Sequence, residues 1–292
     1  MRNNQQMMDL ILNYARQDER IRAVAMNGSR VNANAPIDPF QDYDIVYLVQ
    51  DVVSFTQDHS WVDYFGERLI MQMPDANTYD PPNALGRFAY LMLFTDGNRI
   101  DLTLIPLEQY SAYLLEDKLT VIWMDKDGSL PTLPEPTDED YRVTPPTAEQ
   151  FAHCCNEFWW VSTYIAKGLW RREILYALES LNLYVRPMLI RMLSWQAGIE
   201  HDFCISIGKG AKYLERYLPA DDWQALLATY PRAESREIWR SIWTMTELFS
   251  QIALQVASRL GLEYNREEEQ NVTAYLRHVA ELPDDAADIY PD

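Results

Sequence analysis

IRAVAMNGSR (residues 21–30) and QDYDIVYLV (residues 41–49) decide the fold. The first is a short, partly β-branched apolar run halted by Gly28, the pattern of a buried strand that ends in a turn. The second is nearly all apolar from Tyr43 onward, which predicts a central strand covered on both faces. Side chains alternate along a strand, so Asp42 and Asp44 emerge on one face. Downstream, FAYLMLF (88–94) and RIDLTLI (99–105) flank Thr95-Asp96-Gly97-Asn98, whose Asp-Gly pair predicts a β-hairpin. The hairpin puts Asp101 inside a sheet, where a lone carboxylate is costly to bury.

Three gathered carboxylates repel one another and tend to hold protons. A divalent cation relieves this, and Mg²⁺ takes oxygen ligands and keeps positions open for substrate phosphates. Two such ions about 3.5–4 Å apart activate an attacking oxygen and stabilise the leaving one in an in-line displacement. The pattern therefore predicts a metal-dependent phosphoryl-type transfer centre. Its metal-ligating and catalytic residues are Asp42, Asp44 and Asp101, with two Mg²⁺. The competing reading makes Asp42 a strand cap, Asp44 a surface acid and Asp101 a hairpin charge. The Gly28-Ser29 turn upstream and the strand acid downstream weigh against it.

A Gly-Ser turn, a D-x-D pair and a lone strand Asp together resemble the nucleotidyltransferase superfamily. Longer stretches are similar to the aminoglycoside 6-adenylyltransferases, the streptomycin-modifying enzymes. They are Ala25-Met26-Asn27-Gly28-Ser29-Arg30, Asp42-Tyr43-Asp44-Ile45-Val46 and Ile100-Asp101-Leu102. Asn156-Glu157-Phe158-Trp159, Lys167-Gly168-Leu169-Trp170-Arg171, and Gly208-Lys209 through Glu215-Arg216-Tyr217 extend the resemblance over roughly residues 1–280. The resemblance implies an α+β protein: an N-terminal DNA-polymerase-β-like nucleotidyltransferase domain with a mixed sheet, and a C-terminal α-helical bundle. It implies transfer of AMP from ATP, the co-substrate, to a hydroxyl of streptomycin, with release of pyrophosphate and antibiotic resistance as the outcome. A related adenylyltransferase acting on a protein or on another small-molecule hydroxyl is the alternative.

The formal net charge is −19 over 292 residues. That argues against a nucleic-acid polymer as partner, because such proteins present a basic footprint. Residues 1–141 carry 10 Lys+Arg against 23 Asp+Glu, and residues 142–292 carry 15 against 21. An acidic field concentrates a polycationic small molecule such as streptomycin, although acidity also serves solubility alone. No run of 18 or more apolar residues and no signal peptide are found, so a cytoplasmic enzyme with no membrane partner is expected. The first residues, MRNNQQMMDLILNYARQ, read as an amphipathic helix. Cys154, Cys155 and Cys204 form no disulfide framework or zinc spacing and are expected to be reduced packing thiols. Monomer and homodimer both remain open.

Residues 128–146 hold five prolines and an acidic cluster without a sustained period, an extended connector. The expected division is a nucleotidyltransferase domain over 1–135, a linker over 136–146, and a helical domain over 147–292 that contributes to the nucleotide and drug sites. Thr147 and Gln150 form a capping-box pattern at the first bundle helix. A second helix is expected over 171–196, others near 209–218, 220–229, 235–260 and 266–281, and a frayed acidic tail from Asp284 onward.

Around a nucleotide, the backbone at Gly28 can approach a phosphate closely because no Cβ obstructs it. Ser29 adds a hydroxyl and Arg30 a longer-range cation; without the superfamily match the turn is an ordinary one. Lys209 and Lys212, three apart near a helix start expected around Ser206, suit a triphosphate, or form a solvated basic face. The resemblance implies a bundle lysine on the triphosphate, with Lys167 as the further candidate. Glu173 and Glu179 are candidates for the cationic groups of the drug. Most of the tryptophans are expected in the core.

Overall fold

The computed structural model describes residues 1–79 and 84–290. The chain divides into two compact units, Met1–Asp140 and Tyr141–Asp292. The class is α+β, with a mixed sheet in the first unit and helices in the second.

Helix α1 (Asn4–Gln17) opens the first unit. The Asn3 side chain accepts from the Gln6 N–H and the Gln6 side chain accepts from the Asn3 N–H, both at 2.9 Å. This reciprocal cap satisfies two donors that a helix start otherwise leaves open. Met7, Ile11 and Ala15 recur every four residues and are buried. The Tyr47 hydroxyl donates to the Ile11 carbonyl at 2.7 Å, tying α1 to the sheet.

The strands are β1 (Ile21–Asn27), β2 (Tyr43–Val49), β3 (Arg68–Gln72), β4 (Phe88–Phe94), β5 (Arg99–Pro106) and β6 (Thr120–Asp125). They form one sheet in the order β3-β4-β5-β2-β1-β6, in which β2 and β5 run parallel and the other neighbours antiparallel. Tyr43, Ile45, Tyr47 and Val49 pack with α1 on one face of β2, and Val46 and Leu48 pack with Ile105 and Tyr113 on the other. Two covered faces explain the unbroken apolar run. The β4–β5 turn closes through Gly97 at φ +84°, a left-handed conformation glycine adopts without strain. Sequence patterning passes over β3 and β6. Leu69 and Ile70 of β3 are 64% and 66% exposed, so this edge strand has no buried face to write a pattern. Two short helices, α2 (Val53–Thr56) and α3 (Tyr110–Tyr113), complete this unit.

In the second unit, α4 (Ala148–Trp170) begins at Thr147, whose hydroxyl accepts from the Gln150 N–H at 3.1 Å while Gln150 accepts from the Thr147 N–H at 2.9 Å. Arg172 at φ +61° turns the chain, so the next helix starts at Ile174 rather than at Arg171. It runs as α5 (Ile174–Ser180), a π-helical turn (Leu181–Val185) and α6 (Arg186–Glu200). Pro187 lacks an N–H and crowds the carbonyl four residues back, that of Leu183, which lies inside the widened turn. Helices α7 (Ala220–Ala228), α8 (Ser235–Leu260) and α9 (Arg266–Glu281) follow. Phe158 of α4 and Phe249 of α8 stack with ring centroids 3.7 Å apart. Each fully buried aromatic of this kind stabilises the fold by about 1.5–3 kcal/mol.

Three further expectations are corrected. Residues 209–218 form two short 3₁₀ turns, Lys209–Ala211 and Leu214–Arg216, and not a helix. The cause is local: Gly208, Gly210 and Ala211 all have positive φ. The acidic tail is folded back rather than frayed, as far as it is described; residues 291–292 lie outside the described residues. The Trp170 indole donates to the Pro283 carbonyl at 3.1 Å, and Tyr290 stacks on His278 at 4.5 Å. Cys154 and Cys155 are buried, but Cys204 is exposed and is no packing thiol. Trp159 is buried and Trp239 stacks on Trp243, whereas Trp160 is 58% exposed.

Candidate active site

Strand pairing builds the acidic site. Asp44 of β2 lies opposite Asp101 of β5 in the parallel ladder, and Asn27 of β1 lies opposite Asp44 on the other side. Asp42 stands two residues before Asp44, on the same face. Carboxylate oxygens of Asp42, Asp44 and Asp101 all come within 4.8 Å of one another, and all three residues are half-buried.

The turn after β1 is shaped to this cluster. Gly28 has φ +76°, and a Cβ built there would overlap the Asp44 carboxylate. Asn27 is clamped in front of it: the Tyr113 hydroxyl donates to Asn27 Oδ1, and Asn27 Nδ2 donates to Thr120 Oγ1, both at 2.6 Å. Burial raises the Tyr113 phenol well above its ordinary value, so it stays a hydrogen-bond donor. Gly28–Val31 then forms a single 3₁₀ turn.

Arg30 has partners within its own loop. It donates to the Gln41 carbonyl at 2.7 Å and to the Asp42 carbonyl at 2.9 Å, and it stacks 3.7 Å above the Tyr43 ring. It therefore holds the loop that delivers Asp42. The cation at the cluster is one the motif reading missed, Arg99. It binds both carboxylate oxygens of Asp101, at 2.7 and 2.6 Å, and lies 3.7 Å from Asp42. The bond to Asp101 raises the Arg99 pKa, burial opposes this, and the charges of Asp101, Asp42 and Asp44 add to the rise. Its signal was in the sequence: Arg99 and Asp101 are two apart on a strand and share a face.

The donor set fits a divalent cation. Three hard carboxylates, two on adjacent strands and one just before β2, converge, and Arg99 pairs with Asp101 and approaches Asp42. Mg²⁺ is suited to such oxygen donors.

The candidates of the second unit are more scattered. Lys167 lies 4.6 Å from the Tyr164 ring and lines a cavity of about 220 Å³ with Trp170, Arg171 and Asp288 of the folded tail. Lys209 opens a 3₁₀ turn rather than a helix, and Lys212 follows that turn, 5.0 Å from the Tyr213 ring. The glycines beside them, Gly208 and Gly210, line a cavity of about 710 Å³ together with Arg142, Arg191, Ser194 and Trp195. Its charged lining is basic, in a chain of net charge −19. Arg191, midway along α6, was not legible as a site residue, because one arginine on a helix carries no motif. Glu173 and Glu179 are exposed and line neither of these two cavities.

The fold and the acid cluster define a nucleotidyltransferase-type centre, and comparison with known proteins agrees. Residues 1–279 match the streptomycin adenylyltransferase family, and the chain belongs to it. It is similar to the aminoglycoside 6-adenylyltransferase of Campylobacter jejuni, 45% identical over 90% of this chain and 91% of the relative. It is likewise similar to that of Bacillus subtilis, 42% identical over 94% of this chain and 97% of the relative. A crystal structure of an aminoglycoside 6-adenyltransferase from Bacillus subtilis is 38% identical, with a TM-score of 0.49, covering 97% of this chain and 100% of that one. Among the described residues no helix is long and apolar enough to cross a membrane.

Proposed function

We propose that this chain transfers the adenylyl group of MgATP to a hydroxyl of an aminoglycoside, streptomycin in the first instance, and thereby confers resistance in the cytoplasm. The observation that carries the reading is the convergence of Asp42, Asp44 and Asp101 beside the Gly28 turn, in a chain of this family. Asp42 and Asp44 hold the nucleotide's Mg²⁺, and Asp101 joins them for a second. Bound there, Mg²⁺ supplies Lewis-acid stabilisation of the phosphate oxygens and lowers the pKa of an attacking hydroxyl.

The chain's own groups do the rest. The Gly28-Ser29 backbone approaches a phosphate where a side chain would obstruct, and Ser29 adds a hydroxyl donor. Arg191, which lines the basic cavity, and Lys209 and Lys212, next to its glycines, bind triphosphate oxygens; Lys167 and Arg30 are the further candidates. Glu173 and Glu179 meet the cationic groups of the drug, which the net charge of −19 helps to concentrate. The drug hydroxyl attacks the α-phosphorus in line, the bond to pyrophosphate breaks, and the hydroxyl proton passes to Asp101.

Pyrophosphate release from MgATP, with and without streptomycin, tests this. Release that requires streptomycin, with a product heavier by one adenylyl group, is expected. ATP binding without release would keep the nucleotidyltransferase centre and move the search to a protein or another small-molecule hydroxyl.

A further inference from the structure

The Arg99 guanidinium engages both oxygens of the Asp101 carboxylate: Nε donates to one at 2.7 Å and an Nη to the other at 2.6 Å. The same Nε reaches toward Asp42 Oδ2 at 3.7 Å. A cation held through Asp101 needs one of those same oxygens, so the arginine fork and the cation contend for its lone pairs and repel each other across the carboxylate. The contest is a close one. Arg99 is 47% exposed, and ion pairs this accessible are individually weak. A guanidinium also has a second natural acceptor near any nucleotide centre, because its planar fork matches phosphate oxygens as well as carboxylate oxygens.

We infer that Arg99 controls when Asp101 becomes available to a divalent cation. The fork holds Asp101 until an anionic nucleotide draws the guanidinium to its phosphates, and the cation site that uses Asp101 fills only then. Arg99 is a positioning residue in this scheme, acting through the carboxylate it releases. The order has a chemical use: the full cation charge is assembled only when the phosphates that require it are in place. The inference rests on the reading of the three acids as a metal centre.

Mn²⁺ binding followed by electron paramagnetic resonance tests it without any turnover. Wild type, Arg99→Ala, Arg99→Lys and Asp44→Asn are titrated alone and with a non-hydrolysable ATP analogue. Without nucleotide, Arg99→Ala is expected to bind Mn²⁺ roughly fivefold more tightly than wild type, the scale of one accessible ion pair. With the analogue, the difference should largely vanish. Lysine keeps the charge but loses the fork, so Arg99→Lys is expected to resemble Arg99→Ala. Equal or weaker Mn²⁺ binding by Arg99→Ala without nucleotide overturns the inference, and so does an Arg99→Lys variant that matches wild type. Asp44→Asn separates the two readings: if it retains wild-type Mn²⁺ binding, the metal centre itself is refuted. If it loses binding while Arg99→Ala changes nothing, only the role of Arg99 is.

Discussion

Gly28 and Asp44 pack so closely that no side chain fits between them; a methyl group on Gly28 would occupy the space of the Asp44 carboxylate. The contact follows from pairing, since Asn27 lies opposite Asp44 and the chain turns sharply at the next residue. Gly28→Ala is therefore strained twice, by φ +76° and by the clash. It should cost about 1–3 kcal/mol of stability and at least about 10²-fold in turnover, because Asp44 is pushed aside. Melting temperature and pyrophosphate release measure the two effects; full activity would show that the Asp44 position is uncritical.

Asp44→Asn removes charge at nearly constant volume. Its fold should persist, with unchanged circular dichroism, while transfer falls by roughly 10³-fold, the scale of losing several kcal/mol of transition-state stabilisation. Near-normal turnover would sink the metal role.

The hairpin that carries Asp101 is tied to the chain start. Arg2 binds Asp96 at 2.7 Å, and its guanidinium, with help from Asn98, holds the Asp96 carboxyl well below the usual carboxylate range, against a smaller effect of burial. A depressed folded pKa means stability that is fully present above the unfolded pKa of about 3.9 and is lost as pH falls below it toward the folded value. Asp96→Asn should be less stable than wild type at pH 7, and the gap in denaturant midpoint should shrink below about pH 4. A gap independent of pH would remove the charge from the explanation.

Thiol chemistry checks the packing of α4. Burial pushes the Cys154 thiol up to about 12, and Cys155 is raised further by burial and by its neighbours Cys154 and Glu268. A thiol so far from ionisation is inert at neutral pH. Ellman's reagent should label Cys204 in the native protein and all three cysteines after denaturation. Rapid native labelling of Cys154 or Cys155 would contradict the packing.

Much of this protein was decided locally, and so was open to reading from the sequence. The bounds of β1, β2 and β4, the Thr147-Gln150 cap and the spans of α8 and α9 rest on side-chain alternation, on caps and on helical periodicity, which neighbouring residues impose on one another. The acids belong here too, since Asp42 and Asp44 share a face whatever the strand pairs with. What needed the tertiary structure was everything set by partners far along the chain. The β2–β5 register brings Asp101 level with Asp44 across an intervening 56 residues. The β1–β2 register turns Gly28 from an ordinary turn residue into the wall of the Asp44 pocket. The contacts of Arg30 with the loop carbonyls and of Arg99 with Asp101 were illegible for the same reason. A motif states which side chains exist and which way a strand turns them; which charge meets which is set by pairing energies summed over the whole sheet.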